Sequence, residues 1–207
     1  TIHNLQFQGW FPPSTLATVF DIGREGFNDD GFGQDGSINW LKGGINYADL
    51  VSTVSPSYAK EIQTPAFGEH LDGTLRKQSG KLVGILNGID SEVYNPATDQ
   101  NLAYNYDAKN LAGKAKDKKA LQDEMHLPTR TDPLIAMVSR LTRQPGADLL
   151  VDALENFSVH NNVPAVVLGT GVQDLVEDLS SLQDRFPGQL AVRIDLGEGS
   201  SHCIFAG

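Results

Sequence analysis

From residue 133 onward, apolar and polar positions alternate between two periods. Residues 134–138 (Leu-Ile-Ala-Met-Val) are a short apolar run, the signature of a buried strand. A polar turn follows over 139–146. Apolar positions then recur at Leu149, Leu150, Ala153, Leu154 and Phe157, the spacing of one helix face, in a helix running to about Val159. A second apolar run at 165–168 leads through Gly169-Thr170-Gly171 into a helix ending near Phe186. A last strand is predicted at 190–194, and 200–207 reads as a further apolar element. The order β-α-β-α-β-α predicts a parallel, doubly wound sheet.

The first hundred residues are less regular. Residues 1–36 are loop-rich, with a turn cluster at 8–13 and a glycine- and aspartate-rich stretch at 28–36. Trp10, Phe11, Phe20, Phe27 and Phe32 read there as packing anchors. A helix is predicted over 37–48, capped by Ser37, with Ile38, Leu41, Ile45 and Ala48 on one face. A strand follows at 50–54. Ser55-Pro56 opens a helix that Thr64-Pro65 closes. Another buried strand at 81–86 runs into the turn 87–90, and Asn95-Pro96 begins an extended loop. Residues 107–125 form a lysine-rich helix whose charges read as a solvated face; 127–133 is a connector.

In parallel sheets, ligands sit outside the carboxyl ends of the strands. Asn87, Arg140 and Gly169–Gly171 all fall just after predicted strands. Arg140 is a forked, permanently charged donor at the end of a strand that feeds a helix, and a helix N-terminus offers free N–H groups and a positive dipole end. That combination suits a phosphate. The competing reading is that Arg140 pairs with a nearby carboxylate. For Gly169, Thr170 and Gly171 the competing reading is a tight βα turn without a ligand.

Composition narrows the partners. The 207 residues carry a net charge of −10, with 40% apolar and 20% charged residues, as in ordinary globular proteins. The acidic balance argues against a nucleic-acid partner. No run approaches the ~18 apolar residues of a membrane span, so no membrane partner is expected. Cys203 is alone, which fits a reducing cytoplasm. The chain begins without Met and stops within an apolar element, so it is expected to be an internal part of a longer polypeptide.

Several segments, in order, resemble the bacterial glycogen synthases and plant starch synthases that use ADP-glucose. They are Thr1-Ile2-His3-Asn4-Leu5-Gln6-Phe7-Gln8-Gly9, the stretch from Asn39 to Asp49, and that from Val51 to Ile62. Gly84-Ile85-Leu86-Asn87-Gly88-Ile89-Asp90, continuing to Tyr94-Asn95-Pro96-Ala97-Thr98-Asp99, is the most specific; Val138-Ser139-Arg140-Leu141-Thr142-Arg143-Gln144 is the last. The resemblance implies an α/β fold of GT-B type: Rossmann-like parallel sheets in two facing domains with the active site in the cleft. Residues 1–100 would close the N-terminal, glucan-side domain, 101–132 would form the crossover helix and connector, and 133–207 would open the C-terminal, nucleotide-binding domain.

The implied reaction moves glucose from ADP-glucose to the non-reducing end of an α-1,4-glucan, with retention of configuration. No cofactor beyond the nucleotide-sugar substrate, and no metal, is implied. By the same resemblance Arg140 matches the phosphate-binding arginine, His3 the histidine beside the transferred sugar, and Asn87 an asparagine near that sugar. Three positions depart from the pattern. Pro145 stands where the family has a lysine, Leu196 where it has an aromatic beside the adenine, and Cys203 where a basic residue follows His202. The family's Lys-Thr-Gly-Gly segment and its glutamate-bearing loop are absent. Two readings therefore stand: part of an ADP-glucose-dependent synthase, or a catalytically silent derivative with at most weak nucleotide or glucan binding. A different nucleotide-sugar transferase of the same architecture fits 39–62 and 84–99 less well.

Overall fold

The computed structural model describes residues 1–144, 146–160, 163–195 and 197–207. The chain divides into two compact units, Thr1–Gly88 and Ile89–Gly207.

The first unit begins with Ile2, which pairs in parallel with Thr53. Strand β1 (Trp10–Phe11), helix α1 (Ser14–Phe20), β2 (Gly33–Gln34) and β3 (Ser37–Asn39) follow. β3 pairs antiparallel with both β1 and β2. The β2–β3 link is Asp35-Gly36, both at positive φ (50° and 76°), the backbone of a type I′ hairpin turn. Helix α2 therefore spans Trp40–Tyr47, not 37–48, and its cap is Asn39, not Ser37. The physical reason is local. Ser37 is committed to the hairpin opposite Gln34. Asn39 is fully buried, accepts from the Lys42 N–H at 3.0 Å, and donates to Gln8 Oε1 and Gln34 Oε1.

β4 (Val51–Thr53) leads to α3 (Pro56–Glu61), capped by the Ser55 hydroxyl with Pro56 in the first turn, as its sequence predicts. Helix α4 (Asp72–Lys77) and β5 (Leu82–Gly84) complete the unit. β4 and β5 are parallel. Ile2, Leu5, Ile45, Val51, Ile62, Leu71 and Leu75 form the core beneath them. The expected aromatic anchors are only partly buried: Trp10, Phe11 and Phe20 are each about half exposed. Phe20 and Phe32 pack on Trp40 at 4.4 and 4.9 Å between ring centroids.

In the second unit, α5 (Ala112–Glu124) precedes β6 (Ile135–Val138), α6 (Ala147–His160), β7 (Ala165–Leu168), α7 (Gln173–Arg185), β8 (Leu190–Arg193) and α8 (Glu198–Ala206). The sheet order is β6-β7-β8, all parallel, as the alternating pattern requires. β7 is central and buried on both faces. Ala165 and Val167 pack with Leu154, Leu175, Leu179 and Leu182 of α6 and α7. Val166 and Leu168 pack on the other side with Leu121 of α5 and Ile204 of α8. The side-chain period of two thus fills both faces from one strand.

α5 starts five residues later than its charge pattern suggests. The Asp107 carboxylate accepts from the N–H groups of Lys109 and Asn110, a local turn that competes with helix. Nor is the helix only a solvated face, since Asp117, Leu121 and Gln122 are buried.

Candidate functional site

The carboxyl ends of β6 and β7 are joined beyond the strands themselves, and that of β7 is joined to β8 as well. Ser139 N–H donates to Leu168 O (3.1 Å), Leu141 N–H to Thr170 O (2.8 Å), Val172 N–H to Leu141 O (2.9 Å), and Gly169 N–H to Arg193 O (3.2 Å). The sheet is in effect zipped past its strand ends, which fixes where residues 139–141 point. Glycine is a steric necessity here. A Cβ on Gly169 would lie 1.9 Å from Ser139 O, and one on Gly171 1.8 Å from Leu141 O.

A cavity of about 450 Å³ opens at this edge. Val138, Ser139 and Arg140 line it from the end of β6 and the loop after it, Leu168 and Gly169 from the end of β7 and its loop, and Asp195, Gly197, Glu198 and Ser201 from the start of α8 and the segment before it; Tyr94 adds an aromatic wall. Arg140 is exposed and makes no ion pair among the described residues. The carboxylate-pair reading of this residue therefore finds no support. Its neighbour in chemistry, Arg193, is committed: it bonds Glu124 at 2.6 Å and the Ser200 hydroxyl at 3.3 Å.

The cavity adjoins the first turn of α8, not that of α6. The Gly197 N–H donates to the Asp195 carboxylate, and no side chain caps α8. None of the described residues among 142–150 lines the cavity, and the first turn of α6 already carries Asp148, whose Oδ1 is buried without a partner among the described residues. Pro145 and Leu196, singled out in the sequence, lie outside the described residues.

Of the expected site residues, Arg140 and Gly169 share this cavity. Thr170 contributes its carbonyl to the loop bridge, and Gly171 pairs with Leu141. His3 and Asn87 belong to the first unit, where both are exposed. His3 follows Ile2, whose N–H donates to Ser52 O and whose carbonyl accepts from the Thr53 hydroxyl. Asn87 follows β5, which Ile85 N–H extends by bonding Thr53 O at 2.8 Å. His3 thus follows a single bridge to β4, and Asn87 follows the strand paired with β4.

A buried polar cluster escaped the sequence reading. The His202 Nδ1–H donates to the Asp99 carboxylate at 2.5 Å, with the two side chains 1% and 6% exposed. Burial alone would raise the Asp99 carboxyl. The bonds from His202 and from the Asn101 backbone and side-chain amides outweigh it and hold the group below the usual carboxylate value. The Tyr94 ring stacks on His202 at 4.6 Å and 16°. Tyr94 and Asp99 stood within the motif 94–99, but their partner lies 103 residues beyond Asp99.

Parallel α/β units with a cavity at the carboxyl ends of their strands define the doubly wound, Rossmann-like class. Residues 1–77 match the family described as "Starch synthase catalytic domain". The whole chain is 92% identical to a glycogen synthase of Lacticaseibacillus casei and 50% identical to one of Lactiplantibacillus plantarum, and it spans 43% of the length of each. The catalytic domain of starch synthase IV from Arabidopsis thaliana, solved bound to ADP and acarbose, superposes with a TM-score of 0.91 at 30% identity, covering 99% of this chain and 43% of that one. The chain belongs to the glycogen synthase and starch synthase family.

Proposed function

We propose that this chain supplies the diphosphate-binding edge of an ADP-glucose-dependent glycogen synthase, which transfers glucose to the non-reducing end of an α-1,4-glucan with retention. The observation that carries this reading is Arg140: an exposed cation without an ion pair among the described residues, lining a 450 Å³ cavity at the carboxyl ends of parallel strands. Breaking the bond between glucose and ADP leaves negative charge on the diphosphate. A fixed guanidinium there stabilises the transition state more than the ground state. The Asp195 and Glu198 carboxylates beside it suit the hydroxyls of a ribose better than a phosphate. Gly169, Thr170 and Gly171 hold the loops on which Arg140 stands, and in the first unit His3 and Asn87 are, by the family resemblance alone, the residues assigned to the sugar. A reducing, cytoplasmic setting accords with the lone Cys203; among the described residues no helix is long and apolar enough to cross a membrane.

On this reading the 207-residue chain binds ADP weakly, near 1 mM, corresponding to ~−4 kcal/mol. Three carboxylates (Asp148, Asp195 and Glu198) stand at the two helix ends nearest this edge. The chain by itself transfers no glucose, which gives the catalytically silent reading its place for the isolated chain. Calorimetric titration with ADP tests the site: Arg140→Ala should abolish measurable binding, and equal affinity in both proteins would refute the assignment. Radiolabel transfer from ADP-glucose to glycogen above a protein-free blank, lost in Arg140→Ala, would refute the silence of the isolated chain.

A further inference from the structure

Tyr94 is the side chain whose placement the diphosphate reading leaves unused. Its ring lines the cavity of Arg140, Asp195 and Glu198 and is 45% exposed. One face of the ring lies on the His202 imidazole, nearly parallel at 16°. His202 cannot turn away, because its Nδ1–H is bound to Asp99 and the imidazole is enclosed. Asp99 is itself tied by the Asn101 N–H and side-chain amide, each at 2.9 Å, and its own N–H donates to Asn95 O. α8 contributes to both structures at once: Glu198 and Ser201 face the cavity, and His202 backs the tyrosine.

An aromatic ring has two faces. The one on His202 is braced, and the side chain, nearly half exposed, lines a cavity that also holds a cation for phosphate and carboxylates that can accept from ribose hydroxyls. A purine nucleotide presents those three groups in one molecule, and stacking on a ring already held in place avoids the entropy of ordering it. We propose that Tyr94 is the base-stacking platform of this nucleotide site, and that the His202–Asp99 pair is the positioning device that holds its ring. The inference rests on the nucleotide reading above and adds to it the group that recognises the base.

The test titrates the full chain with ADP and, separately, with inorganic pyrophosphate, which has no base. It follows the ring protons of Tyr94 and His202 by NMR. ADP is expected to move the Tyr94 ring signals upfield through the ring current of the stacked purine; pyrophosphate is not. Tyr94→Leu should weaken ADP about tenfold, the scale of one base–aromatic stack, and leave pyrophosphate unchanged. Tyr94→Phe should retain ADP affinity within about twofold. His202→Gln, which keeps a bond to Asp99 but removes the ring, should weaken ADP alone, by about threefold. If Arg140→Ala weakens ADP but Tyr94→Leu does not, or if the Tyr94 ring stays unmoved, the platform is refuted and the diphosphate site stands. If ADP does not bind, or binds Arg140→Ala equally, the nucleotide reading falls and the platform with it.

Discussion

Replacing Gly171 with alanine tests the backbone zipper that positions Arg140. The added Cβ would sit 1.8 Å from the Leu141 carbonyl oxygen and 2.4 Å from its carbon, where ordinary contact begins at 3.4 Å. The β6–α6 loop must therefore retreat by roughly 1.6 Å, a displacement of backbone, which cannot rotate aside as a side chain does. Such a shift removes the Leu141 N–H bond to Thr170 O and the Val172 N–H bond to Leu141 O. At ~1 kcal/mol net for each bond and ~1–3 kcal/mol for overpacking, the expected loss is about 3–5 kcal/mol. A domain typically has ~5–15 kcal/mol in total. Urea unfolding at 25 °C followed by far-ultraviolet circular dichroism measures the loss, and hydrogen exchange of the Leu141 and Val172 amides locates it. A loss below about 1 kcal/mol with both amides still protected would refute the steric argument, and with it the claim that Gly171 is there for the fold.

Other perturbations follow from the same geometry. Gly44 lies inside α2, and a Cβ there meets nothing within 4 Å; Gly44→Ala should stabilise the chain by about 0.5–1 kcal/mol in urea unfolding. Asn39→Ala removes the α2 cap and leaves the buried Lys42 N–H and Gln8 Oε1 each without a bond; the expected cost is about 3 kcal/mol by the same measurement. Burial raises the Asp117 carboxyl against the opposing Tyr104 N–H and Lys114, and its Oδ2 has no partner among the described residues. A carboxyl raised on folding contributes stability below its unfolded value and loses it as pH rises through the folded one, so Asp117→Asn should gain on wild type as pH rises above the ordinary carboxyl range. Asp99, held low, has the opposite sign: its contribution is present above the ordinary carboxyl range and is lost as acid protonates it, so Asp99→Asn should flatten the acid limb of thermal unfolding.

The parallel sheet of the second unit is legible because each of its strands is a short apolar run between helices of the right period. β7 in particular is predicted to the residue. The hairpin of the first unit was equally written in the sequence, as the Asp35-Gly36 pair that a type I′ turn requires, but the helical spacing of Ile38, Leu41 and Ile45 masked it. Asn39 shows why caps are harder to place. Ser37 and Asn39 are both good N-caps by residue type, and the choice is made by long-range partners, chiefly Gln8, 31 residues away. The start of α5 was decided by a side chain, Asp107, bonding its own local backbone. At the site, strand ends point to Arg140 and Gly169, since position after a strand is a local property. Tyr94, Asp99 and His202 meet only through the fold, so no spacing rule could join them.

Where a nucleotide touches the second unit decides whether Arg140 belongs to a phosphate site. Titrating ADP into the isotopically labelled chain and mapping the amide shifts answers that. The predicted perturbations fall on residues 139–141, 169 and 197–201, around the cavity lined by Arg140, Asp195 and Ser201, and they vanish in Arg140→Ala. Shifts centred instead on the groove of Asp123, His126, Arg130 and Gln189, or a map unchanged by Arg140→Ala, would contradict it.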